Sequence, residues 1–168
     1  MTAFVLMGVS GAGKTTVGKR AAGEMAMPFL EGDDFHPPRN VAKMSAGIPL
    51  DDADRAPWID ALATAVNAHE QDVIVACSAL SQAVRDRLRR GVQAPVHFLF
   101  LTAQASVMEH RLRQRPLHYM QPGMLPSQLA ALEPPSDAIR IDADQPIEAV
   151  TEEVLRRIRE LRGHATPR

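Results

Sequence analysis

Eight residues near the start of the chain, Gly8-Val9-Ser10-Gly11-Ala12-Gly13-Lys14-Thr15, fit the pattern G-x-x-x-x-G-K-[ST]. Their surroundings restrict the fold as much as the string does. Ahead of them runs a short apolar segment, Phe4 to Met7, and behind them the spacing predicts a helix from about Gly13 to Met25. Glycines let the backbone turn with its N–H groups facing inward, and the helix N-terminus adds positive potential. Lys14 brings a point charge to the β- and γ-phosphates of a nucleotide, and Thr15 a hydroxyl for Mg²⁺. The candidate phosphate-binding residues are therefore Gly8, Ser10, Gly11, Ala12, Gly13, Lys14, Thr15 and Thr16. A plain connecting turn with a solvated Lys14 is the competing reading.

The rest of the chain continues the alternation. Short apolar or β-branched runs at Phe29-Leu30, Val73–Ala76, Val96–Leu101 and Ala138–Ile141 read as strands. Helices are expected over about 52–69, 83–90, 105–113 and 126–132, and a closing helix carries Ile147, Val150, Val154, Ile158 and Leu161 on one face. The runs at 73–76 and 96–101 are too continuous for a sheet with one wet face, so helices should cover both sides. Five strand–helix alternations in 168 residues imply a single α/β domain over 1–168, a three-layer αβα fold around a five-stranded parallel sheet. Prolines gather at 37–57 and 116–146, where ligand-covering segments are expected.

Charge narrows the partners. Lys+Arg at 19 against Asp+Glu at 20 leaves a net charge of -1, which offers no electrostatic footprint for nucleic acid or an anionic membrane surface. No apolar run approaches the roughly 20 residues that span a bilayer. The single cysteine, Cys77, excludes an internal disulfide and fits a reducing, cytoplasmic setting; it reads as a small buried hydrophobe. Trp58 and the eight methionines read as core filler.

The loop by itself says only that a nucleoside triphosphate binds. A switch GTPase would add D-x-x-G and N-K-x-D segments, and neither string occurs. A small-molecule kinase is the natural alternative. A kinase acting on an alcohol needs a carboxylate facing the γ-phosphate, and Glu31 and Asp33, two apart at the end of the second strand, are placed for it, with Asp34 pointing elsewhere.

Long stretches of the chain resemble one family. They are MGVSGAGKTT at 7–16, GDDFHPPRNVAKMSAGIPLDDADRAPW at 32–58, CSAL at 77–80 with Arg85-Asp86, then Arg115, His118-Tyr119, Met124-Leu125 and Gln128 through Glu133-Pro134. These are similar to the gluconate kinases, a branch of the P-loop kinases that also include shikimate and adenylate kinases. The resemblance implies transfer of the ATP γ-phosphate to the terminal hydroxyl of D-gluconate, in a P-loop kinase fold with a mobile lid over about 114–125. It implies Lys14, Asp33 and Arg115 as catalytic residues, with Asp33 as base; Arg111, four residues before Arg115, shares its helix face and could reach the phosphates as well, a solvated basic face being the competing reading. It further implies a sugar-acid pocket of Asp33, His36, Arg39, Arg55, Arg85 and His118, Mg²⁺ held by Thr15 and, through water, by Glu31, and a homodimer. Three departures stand out: Glu31 where the family has Asp, Ser81 where it commonly has Lys, and Pro116-Leu117 where it commonly has a basic, glycine-bearing pair. Another small acceptor such as shikimate or a nucleotide, or a nucleotide-binding module without catalysis, stays open at this level. So does the segment Asp142–Pro146, either adenine-packing or a plain N-cap.

Overall fold

The computed structural model describes residues 1–114 and 122–164. Five strands, β1 (Ala3–Met7), β2 (Phe29–Glu31), β3 (Val73–Ala76), β4 (Val96–Thr102) and β5 (Ile139–Asp142), form one sheet in the order β2-β3-β1-β4-β5. All four pairings are parallel, with Val5 standing opposite Val75 on one side and Phe98 on the other. The expected three-layer fold with a five-stranded parallel sheet is what the chain adopts.

Alternation along β1 builds both layers, because successive side chains on a strand point to opposite faces. Phe4 and Leu6 pack with Val17 and Ala21 of α1 (Lys14–Met25) and with Val150, Val154 and Ile158 of α7 (Ile147–His164). Ala3, Val5 and Met7 turn the other way, onto Trp58, Ile59 and Leu62 of α3 (Asp52–Asn67) and onto Val84 and Leu88 of α4 (Gln82–Gly91). Every residue of β1 and β3 is buried, as expected of strands covered on two sides.

One helix was not expected. α2 (Pro38–Ser45) starts on the second proline of His36-Pro37-Pro38, which occupies the first helical position, where a missing N–H costs nothing. Prolines that break a helix interior here open one instead. α3 begins one residue after Asp51, whose side chain accepts from the Asp54 amide while the Asp54 carboxylate accepts from the Asp51 amide. The acidic first turn is thus a reciprocal cap as well as a complement to the dipole.

β1 lies between β3 and β4, so the chain leaves the middle of the sheet in both directions and opens a crevice at the carboxyl ends of the strands. Into it run the loop after β1, the 3₁₀ turn Gly32–Phe35 after β2, α5 (Ala105–Arg113) after β4, and α6 (Leu125–Ala131). The lid expected over 114–125 falls mostly on residues 115–121, which lie outside the described residues, as do Arg115, His118 and Pro116-Leu117.

Candidate active site

The glycine-rich loop has the backbone that its glycines permit. Gly8 and Gly11 have φ of 143° and 87°, and a Cβ on them would meet the Leu101 carbonyl oxygen at 2.6 Å and the Met108 carbonyl oxygen at 2.5 Å. Both positions thus require glycine for handedness and for close approach. Lys14 Nζ donates to the carbonyls of Gly8 at 2.9 Å and Val9 at 3.1 Å, so the ammonium curls over its own loop. Gln128 Oε1, from α6, accepts from the Ser10 amide at 2.7 Å.

Facing the loop, Thr15 Oγ1 donates to Glu31 Oε2 at 2.6 Å. Burial pushes the Glu31 carboxyl above its usual range, the hydrogen bond from Thr15 opposes this, and the neighbouring Asp33 carboxylate adds to it. The two carboxylates therefore share one site, as the spacing predicts, but by another route. The strand stops at Glu31 and a 3₁₀ turn carries Asp33. Gly32 is buried too close to the Ala76 carbonyl to admit a side chain, and its own carbonyl accepts from Trp58 Nε1 at 2.7 Å. Asp34 is exposed, as expected.

His36 follows the turn. Its ring stacks on Trp58 at 4.0 Å between centroids and 17° between planes, and its Nε2 stands 4.0 Å from Asp33 Oδ1. Its Nδ1 faces Asn40 Nδ2 at 3.3 Å. Burial lowers the imidazole pKa to about 4; the Asp33 carboxylate opposes that shift and the Arg55 guanidinium supports it. A cleft opens beside this cluster, and its polar lining is His36, Arg55, Ser78, Ser81, Ser127 and Gln128, against apolar walls that include Trp58 and Met44.

The three arginines expected around the acceptor part company. Arg55 lines the cleft, with Asp52 Oδ1 at 3.2 Å from its Nη1. Arg39 is exposed on the first turn of α2 and is not part of the cleft lining. Arg85 corrects the expectation of a pocket residue: it is 0% exposed, and its guanidinium donates to the carbonyls of Ala79, Leu80 and Glu133 and to Gln82 Oε1, each at 2.9 Å. Its charge is used on backbone oxygens of the loop after β3 and of the segment after α6. Arg111, on α5, donates to Ala143 O at 2.8 Å and to Ala12 O and Gln145 O, both at 3.4 Å, so it ties the glycine-rich loop to the segment after β5. In that segment Asp144 Oδ1 accepts at 2.8 Å from the Gln104 amide that starts α5. Ser81 caps α4 through the Val84 amide at 3.3 Å. Cys77 is buried, its thiol pushed up to about 12 by burial.

Sequence reasoning missed three contributors. Trp58 is core, and also clamps Gly32 and His36. Asn40 and Gln128 belong to segments that carry the family resemblance, but no local pattern marks either, because their partners are 14 and 118 residues away.

The donor set suits the nucleotide and cation expected of such a loop. One hydroxyl and one carboxylate are hard oxygen ligands, and among the described residues no cluster of three or more His, Cys, Asp or Glu could hold a metal.

A family model described as an AAA domain matches residues 4–135. The thermosensitive gluconokinase of Escherichia coli K12 is 41% identical over 157 residues, covering 89% of this chain and 83% of that one. The gluconokinase of Gluconobacter oxydans is 44% identical over 160 residues, covering 91% and 89%. A crystal structure of a gluconokinase from Sinorhizobium meliloti 1021 superposes with a TM-score of 0.84 at 38% identity, over 98% of each chain.

Proposed function

Because the chain belongs to the gluconokinase family, we propose that its residues divide among themselves the transfer of the γ-phosphoryl group of ATP to the terminal hydroxyl of D-gluconate. The observation that carries this reading is the meeting of two ends of the sheet, Thr15 from the glycine-rich loop on Glu31 at 2.6 Å, with Asp33 beside them and the cleft of Arg55 and His36 adjoining.

In the mechanism, loop amides and Lys14 hold the β- and γ-phosphates, Lys14 exchanging the carbonyls of Gly8 and Val9 for phosphate oxygens. Mg²⁺, when bound with the nucleotide, neutralises charge on those phosphates, and Thr15 and Glu31 are the side chains that would hold it, Glu31 through water. Asp33 orients the terminal hydroxyl and takes its proton as the oxygen forms its bond to phosphorus. The bond from the γ-phosphorus to the bridging oxygen breaks and ADP leaves. Arg55 is the arginine for the acceptor carboxylate, as it lines the cleft where Arg85 and Arg39 do not. Arg111 serves the nucleotide side, and Arg115 and His118 are assigned to phosphate and acceptor on family resemblance. We also propose a cytoplasmic homodimer, from the lone Cys77 and the resemblance respectively; among the described residues no helix is long and apolar enough to cross a membrane.

A coupled ADP-release assay over gluconate, other sugar acids, shikimate and nucleoside monophosphates tests the reading. Turnover on gluconate is expected; turnover only on another acceptor overturns it.

A further inference from the structure

Asn40 sits in the first turn of α2, 0% exposed, and nothing in the reaction uses it directly. Its Nδ2 donates to the Asp54 carbonyl at 2.8 Å. A carbonyl oxygen only accepts, so this contact settles which end of the amide faces α3. The same nitrogen stands 3.3 Å from His36 Nδ1. With an N–H pointing at it, Nδ1 must be the lone-pair nitrogen, and the ring proton then sits on Nε2. Nε2 is the atom that faces Asp33 Oδ1 at 4.0 Å. The ring has little freedom to do otherwise, since it is 2% exposed and stacked on Trp58, whose own N–H is tied to Gly32. Asn40 Oδ1 is buried without a hydrogen-bond partner among the described residues. The amide is therefore oriented by what its nitrogen does, at the cost of a bare oxygen.

We propose that Asn40 is a positioning residue for the phosphoryl transfer: it locks His36 as the neutral Nε2–H tautomer, so that the imidazole presents an N–H dipole, not a charge, to the Asp33 carboxylate. At 4.0 Å the N–H is beyond hydrogen-bond reach and acts on the Asp33 carboxylate as a dipole, which leaves its oxygens to the acceptor hydroxyl. An imidazolium in the same place would pair with Asp33 and weaken it as a base. The groups that face His36 are Asp33 from the 3₁₀ turn, Asn40 from α2, and Arg55 and Trp58 from α3, and only Asp33 among them favours a charged ring. The kinetic role rests on Asp33 acting as base; the tautomer does not.

Nitrogen-15 NMR of the ring on the full chain at neutral pH, without substrate, reads the tautomer directly, with H36Q identifying the signal by its loss. The expected result is a protonated Nε2 and a bare Nδ1. In N40D the carboxylate should accept from Nδ1–H and charge the ring, with kcat for gluconate falling about tenfold or more and KM for ATP within about twofold. Should N40D fail to fold, two other variants decide the kinetic point. H36Q places an amide nitrogen near the Nε2 position and H36N places one near Nδ1, so kcat of H36Q should exceed that of H36N about tenfold. A ring protonated on Nδ1 or charged at neutral pH overturns the proposal, and so does equal activity of H36N and H36Q. A wild type inactive on gluconate refutes the functional reading instead, and the substrate-free tautomer still decides the role of Asn40.

Discussion

Individual side chains in the crevice carry opposite loads. Asp33 is assigned to the proton, so Asp33→Asn should lower kcat by about 10²–10⁴-fold, the range of general-base contributions, and leave ATP affinity within a few-fold. Isothermal titration with ATP and a steady-state assay on the same preparation check both halves. Arg85 carries structure. Replacing it by Met takes the donor from the carbonyls of Ala79 and Glu133 and from Gln82 Oε1, while Leu80 O keeps the Glu133 amide, and should cost about 2–4 kcal/mol in urea unfolding, with KM for gluconate unchanged once the variant is folded. His36 links pH to stability. Its pKa of about 4 in the folded protein lies below the ordinary 6.5, so the unfolded chain binds the extra proton between those values. Stability from this group is full above about pH 6.5 and drains as pH falls toward 4. Urea midpoints measured across that window should fall on acidification, and the slope should flatten in H36Q.

At the scale of elements, the site depends on how α2 and α3 are joined. Asp54 closes the cap on Asp51 and receives Lys43 Nζ at 2.7 Å, and its carbonyl takes the Asn40 amide. Asp51→Ala removes one half of the cap and should cost about 1 kcal/mol. Because α3 also carries Arg55 and Trp58, a rise in KM for gluconate should accompany that loss, measured at a temperature where the variant stays folded. Much at this scale was legible beforehand. The strands, the loop between β1 and α1, and α3, α4, α5 and α7 follow from apolar spacing and capping residues, which are local signals. α2 was not legible, because two prolines in a row argue against a helix unless the second happens to open one, and its single buried face is the short pair Asn40 and Met44.

For the molecule as a whole, a ligand that binds only the folded chain raises its stability by mass action. ATP with Mg²⁺ at about a hundredfold above its dissociation constant should add about 2.7 kcal/mol, read as an upward shift in the thermal midpoint. Lys14→Ala should erase most of that shift without lowering the midpoint of the free protein by more than a degree or two. An unchanged shift in that variant would show that the glycine-rich loop is not where the nucleotide binds.

The sequence by itself determined the parallel αβα fold and the glycine-rich loop between β1 and α1, since each is written in residues a few positions apart and enforced by backbone sterics and strand periodicity; that a 3₁₀ turn, not the strand, carries Asp33 was left to the fold. Tertiary structure alone decided which arginine lines the cleft, that Arg85 belongs to the scaffold, and that Trp58, Asn40 and Gln128 pack around the cleft. Those outcomes depend on contacts between residues tens of positions apart. A guanidinium or an amide bonds to whatever polar group the packing leaves unsatisfied beside it, and no local pattern states what that will be.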